Sequence, residues 1–117
     1  MSFESDFVTL LKTVTPVIYA SITPDVPAAI FGVYQQVGGE AYSYAEKKLP
    51  DHKHSRMQVS FWGVNPIAVH ALARAAEKAI IESAYPAQAY GAFTALYEPL
   101  IKKYGTRQDF GIFYPDP

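Results

Sequence analysis

The chain has 117 residues, a formal net charge of −1, 50% hydrophobic and 18% charged residues. This excludes a disordered polar tail and suits one domain over residues 1–117, long enough to bury a single core. The absence of a basic excess argues against a nucleic-acid binder that reads sequence, because such proteins gather Lys and Arg to neutralise phosphates.

In chain order, the first element is a helix. Phe3, Phe7, Leu10, Leu11 and Val14 recur on one helical face, Ser2 is placed to cap it, and Glu4 and Asp6 occupy the dipole-favoured first turn. Thr15-Pro16 ends it, since the residue before proline disfavours helical backbone. A short β run, residues 17–20, precedes a turn at 23–27 that holds two prolines. Residues 29–37 form a longer β run, in which Gly32 marks a bulge or a close approach. Residues 38–54 are predicted to be a long, mobile loop carrying Tyr42, Tyr44, Glu46, Lys47, Lys48, His52 and His54; loops of this length are often functional.

Residues 56–62 are the clearest strand, with Met57, Val59 and Phe61 on one side and Arg56, Gln58 and Ser60 on the other. Asn65-Pro66 starts a helix, Asn as cap and Pro at the first position, running to about Glu82. Ala68, Leu72, Ala75, Ala76, Ala79 and Ile80 are its predicted buried face, and His70, Arg74, Glu77 and Lys78 its wet face. After Tyr85-Pro86, residues 90–97 read as a strand or a helical turn, and Glu98-Pro99 with Lys102-Lys103 as a connection. The last strand spans about 106–114, with Phe110, Ile112 and Tyr114 on one side. The expected fold is α+β: a mostly antiparallel sheet of four to five strands with two helices packed on one face.

No motif asks for catalysis. There is no cysteine, which excludes a disulfide framework or thiolate metal site and fits folding in a reducing compartment. No serine sits in a glycine-flanked elbow, the carboxylates are scattered, and the glycines form no phosphate cradle. His52 and His54 beside Asp51 are a candidate metal pair, but third and fourth ligands are not evident, and a polar loop is the plainer reading. No catalytic residue, metal or cofactor is expected. No run reaches the ~18 apolar residues of a membrane span, and Glu4 and Asp6 stand where a secretory leader needs positive charge. The expectation is a protein cytosolic at synthesis. Nine tyrosines and seven phenylalanines exceed the needs of one small core, and Tyr42 with Tyr44 is a candidate subunit contact.

The ordered set of the N-terminal helix with its Pro-rich turn, the strand at 30–36 with Tyr34-Gln35, the run 56–62 leading into Asn65-Pro66, and the stretch 104–113 with Arg107, Asp109 and Phe110 resembles the small tail-completion proteins of long-tailed phages and prophages, which include the tail terminators. The resemblance implies a structural protein, not an enzyme. It would cap the tail tube as a hexameric ring, end its polymerisation and present a surface for head joining; a head-closure or neck protein of the same assembly is the alternative, and outside the resemblance a small metal-binding module or enzyme using His52 and His54 stays open. Its partners would be further copies of itself, the tail-tube protein and the head–tail connector, without membrane. Its place would be the bacterial host cytoplasm during assembly, then the virion tail. The candidate interface residues are Tyr42, Tyr44, Lys47, Lys48, His52, His54, Arg74, Arg107 and Asp109.

Overall fold

The computed structural model describes residues 3–21, 23, 28–39 and 52–115, of which 52, 53 and 115 by their backbone alone. The order is α1 (Phe3–Lys12), β1 (Ile18–Ala20), β2 (Phe31–Gln36), β3 (His52–Gly63), α2 (Pro66–Ile81), β4 (Ala87–Ala89), β5 (Thr94–Glu98) and β6 (Lys103–Pro115). The fold is α+β. Its six strands run β1-β2-β3-β6-β4, and β5 also pairs with β6. Only β1 with β2 is parallel; the other pairings are antiparallel. The strand count exceeds the expected four to five because residues 87–98 hold two strands. Ala87–Ala89 is too short to display an alternation, and Gly91, at φ +84°, separates it from Thr94–Glu98.

The frame is the β3–β6 ribbon, paired continuously from His52↔Pro115 to Gly63↔Tyr104. The outer edge of β6 takes β4 at Phe110–Ile112 and β5 at Lys103–Arg107, end to end. Period-two alternation explains the packing. Ser55, Met57, Val59 and Phe61 of β3 and Thr106, Gln108, Phe110 and Ile112 of β6 are buried on one face. Both helices cover that face: Phe7 and Leu11 of α1 and Val69, Ala73, Ala76 and Ile80 of α2 join them in one core with Tyr34 of β2.

α2 begins as its sequence directs. Asn65 Oδ1 accepts the N–H of Ile67 (2.9 Å) and of Ala68 (3.3 Å), with Pro66 in the first turn. Its buried face differs from the predicted one. Val69 and Ala73 are buried, whereas Ala68 and Ala75 are exposed. Apolar residues, mostly alanine, fill more of this helix's circumference than one buried face needs, so periodicity leaves its rotation open. The larger Val69 and Ile80 turn to the sheet, and the alanines beside them permit close approach.

α1 stops at Lys12, before the expected Thr15-Pro16, and the chain tightens there through Thr13 N–H to the Leu10 carbonyl (3.1 Å). The proposed cap Ser2 lies outside the described residues. Two tyrosine–carboxylate bonds tie α1 to the body: Tyr34 Oη donates to Glu4 Oε1 (2.8 Å) and Tyr85 Oη to Asp6 Oδ2 (2.6 Å). Phe3 stacks on Tyr114 at 4.1 Å. Burial, with the Glu4 carboxylate second, pushes the Tyr34 phenol up to about 12. Tyr85 is raised by its bond to Asp6 and then by burial.

Gly32 pairs in unbroken register with Phe61, so it marks close packing and no bulge. A Cβ there would lie 2.8 Å from Ile18 Cδ1. The expected loop at 38–54 is corrected at its far end: His52, Lys53 and His54 belong to β3, which extends the expected strand at 56–62 toward the N-terminus. At its near end Gly38 still pairs, its carbonyl accepting Arg56 N–H at 2.9 Å. Gly39 follows at φ +141°, where a Cβ would strike the His54 carbonyl, so glycine is required. Residues 40–51 of that loop, and 24–27 of the predicted turn, lie outside the described residues.

Candidate assembly surface

Neither helix covers the second face of the sheet. It is built from the other alternating set: His54, Arg56, Gln58, Ser60 and Trp62 of β3 against Phe113, Gly111, Asp109, Arg107 and Gly105 of β6, each pair in direct register.

Two glycines of β6 organise it. The Trp62 indole occupies the space that a Cβ on Gly105 would need. Tyr90, just after β4, crosses over Gly111, with its Oη in that position and His54 Nε2 at 2.7 Å from it. An aromatic side chain laid over a cross-strand glycine gains contact area and shields the backbone.

From Gly111 a connected surface network runs along the ribbon. His54 Nε2 and Tyr90 Oη are 3.1 Å apart, and the His54 and Phe113 rings lie 4.7 Å apart. The Arg56 guanidinium stands over the Tyr90 ring, 4.8 Å from its centroid, an attractive cation–π arrangement. Arg56 Nε donates to Asp109 Oδ2 (2.9 Å), and Gln58 Nε2 donates to Asp109 Oδ1 (3.3 Å). The Arg56 side chain is 47% exposed and that of Asp109 20%. A pair so wet contributes at most about 1 kcal/mol to stability. Its effect is to fix a pattern of charge and aromatic rings on the β3–β6 ribbon.

The other end of this face is apolar. Phe31, on the second face of β2, is 1% exposed against Tyr19 (5.4 Å between rings) and is paired with Trp62. Lys103 Nζ donates across to the Ala29 carbonyl at 3.3 Å.

Of the residues singled out from sequence, this face brings together His54, Arg107 and Asp109. Arg74 is exposed on α2 and belongs to the opposite layer. His52 lies in β3 with its backbone paired to Pro115. Tyr42, Tyr44, Lys47 and Lys48 lie outside the described residues. Among the described residues, no group of three or more His, Asp or Glu is gathered closely enough to hold a metal ion, and no helix is long and apolar enough to cross a membrane.

Sequence reasoning missed Arg56, Gln58, Tyr90 and Phe113 as members of the surface. Alternation already turned Arg56 and Gln58 away from the core, but their partner Asp109 is 53 and 51 residues away, and only the β3–β6 register joins them. The usable signal was the spacing of Gly105 and Gly111, which share a face of the last strand.

No protein-family model matches the chain, and no curated protein matches it.

Proposed function

We propose that the chain is a structural tail-completion protein of a long-tailed phage or prophage. Copies close into a hexameric ring on the end of the tail tube, stop its polymerisation and offer a surface for head joining. The work is done by assembly, without catalysis or cofactor. The partners are further copies of the chain, the tube protein and the head–tail connector, with no membrane and no sequence-specific nucleic acid. The setting is the host cytoplasm during assembly and the virion tail thereafter.

The observation that carries this reading is the one-sided sheet. Both helices cover one face, and the other presents an ordered strip of His54, Tyr90, Arg56, Asp109 and Gln58 on a long two-stranded ribbon. A patterned face that neither helix covers suits docking onto a repetitive protein surface, where position matters more than chemistry. The ordered sequence motifs add the resemblance to tail-completion proteins, and Arg107 and Asp109, both part of that resemblance, lie on this face.

The test is polymerisation of the tube protein of the same genome with and without this chain. Shorter tubes carrying a density at one end, visible by negative stain, are expected. Arg56→Glu should lengthen the tubes again while leaving the fold intact by circular dichroism. Unchanged tube lengths with bare ends would defeat the proposal.

A further inference from the structure

The two ends of the molecule are complementary. At one end, the turn at 99–102 between β5 and β6 projects an apolar tip. Leu100 is 91% exposed, and Ile101, Tyr97 and Tyr104 around it are also exposed. The tip is held in shape: Glu98 Oε1 accepts the Leu100 N–H at 3.1 Å, Tyr97 and Tyr104 pack with ring centroids 4.9 Å apart, and Lys102 adopts a left-handed φ of +53°. Holding a leucine almost wholly in water at a fixed position forgoes the burial that is the main gain of folding. Ile67 and Val64 at the start of α2, beside the β3 end that pairs with Tyr104, extend this apolar end.

At the other end lies an apolar cavity of about 300 Å³ between α1, the last turn of α2 and β6, lined by Phe7, Leu10, Ile80, Ala84, Tyr85 and Ile112. A cavity of about 150 Å³ already holds a benzene ring, so this one has room for a leucine side chain and part of its neighbour. Its polar edge is acidic. Asp6 lines it, with one oxygen taking the Tyr85 hydroxyl, and Glu82 immediately precedes the lining Ser83. The tip carries Glu98, whose carboxylate accepts the Leu100 N–H, Lys103, whose Nζ donates to the Ala29 carbonyl, and Lys102, which leaves it with a net positive charge. Leu100 adjoins the start of β6, whereas Ile112 is nine residues along that strand from Lys103, roughly 30 Å at about 3.4 Å per residue. The tip therefore cannot fill the cavity of its own chain.

We infer that Leu100 of one copy inserts into the cavity bounded by Phe7, Leu10, Ala84 and Ile112 of the next, with Lys102 facing Asp6 and Glu82. The occupant is a second copy, because the same chain carries both halves with matching apolar character and opposite charge. Tip into cavity is a heterologous, head-to-tail contact, the kind that produces rings when the rotation closes and filaments when it does not. This deepens the proposed ring and rests on that reading in requiring that copies associate.

The chain has no cysteine, so paired single cysteines report the contact cleanly. Leu100→Cys and Ala84→Cys, both at exposed positions, are purified separately, mixed and oxidised. The expected result is the mixed dimer in at least about fivefold excess over the two like-with-like dimers, since docking raises the effective concentration of that pair alone. The excess should vanish in urea. Leu100→Asp, which leaves the fold untouched, should lower the weight-average mass in sedimentation at high concentration. A statistical mixture, a predominance of Leu100→Cys homodimers or no dimer overturns the contact, as does an unchanged mass for Leu100→Asp. Tube capping without mixed dimers would sink this contact and keep the capping; mixed dimers without capping would do the reverse.

Discussion

Replacing Gly105 with alanine should displace the chain's single tryptophan. A Cβ at this position would overlap Trp62 Cε3 and Cζ3, and meet Cδ2 at 2.8 Å. These atoms belong to one rigid indole, so no flexible end can give way. The ring must swing off the ribbon or the backbone must shift. Overpacking of this kind costs about 1–3 kcal/mol. An unfolding entropy of about 2.1 cal/mol/K per residue gives roughly 0.25 kcal/mol/K for this chain, so Tm should fall by about 4–12 °C. Because Trp62 is the sole tryptophan, its emission reports the same event directly and should move to longer wavelength as the indole gains solvent. Gly111→Ala is the control: it should disturb Tyr90 and His54 and leave the Trp62 emission maximum in place. Thermal melts by circular dichroism, with emission spectra of both variants, make the measurement. A Gly105→Ala protein with unchanged emission and a Tm within about 1 °C of the parent would refute the packing argument.

Thr106→Val should stabilise the protein by about 1–2 kcal/mol in urea titration, because Thr106 Oγ1 is buried without a partner among the described residues and an unpaired buried hydroxyl carries a desolvation penalty; a loss of stability would show that the hydroxyl is satisfied. Gln108→Leu should cost about 1–3 kcal/mol, since its Nε2 serves both Glu77 Oε1 (2.7 Å) and the Gly91 carbonyl (2.8 Å) across the core edge, and faster hydrogen exchange around Gly91 should accompany the loss. The Tyr34 phenol, raised from 10 to about 12, favours the fold while it keeps its proton. Between pH 10 and 12 the unfolded chain has released that proton and the folded chain still holds it, so stability present below pH 10 declines as pH rises to about 12. The stability of the parent relative to Tyr34→Phe should therefore fall by up to about 3 kcal/mol over this window, and a constant difference in urea-derived stability would contradict the assignment.

Local rules carried the reading of several elements because their causes are local. The Asn65-Pro66 start of α2 needs only a side-chain oxygen two and three residues ahead of the amides it accepts. The alternation from Met57 to Phe61 reports its own buried face. The rotation of α2 was not legible, because its apolar residues span more than one face and only contact with β3 and β6 selects Val69, Ala73, Ala76 and Ile80. β4 escaped notice because three residues held by β6 carry no pattern of their own. His54 passed for a loop residue because its strand character comes from pairing with Phe113, far along the chain.

The primary structure was enough to establish an α+β chain, one core, the capped second helix and the absence of any cysteine chemistry, since each follows from composition or from residues within a turn of one another. Pairing over long sequence distance was needed for the rest. The β3–β6 register sets Arg56 beside Asp109 and Trp62 over Gly105. The packing of α1 against the end of α2 encloses the cavity, and the β5–β6 hairpin carries Leu100 to the far end of the ribbon. A surface of this kind depends on which strands are neighbours, and that choice is made by burial of the whole sheet face at once.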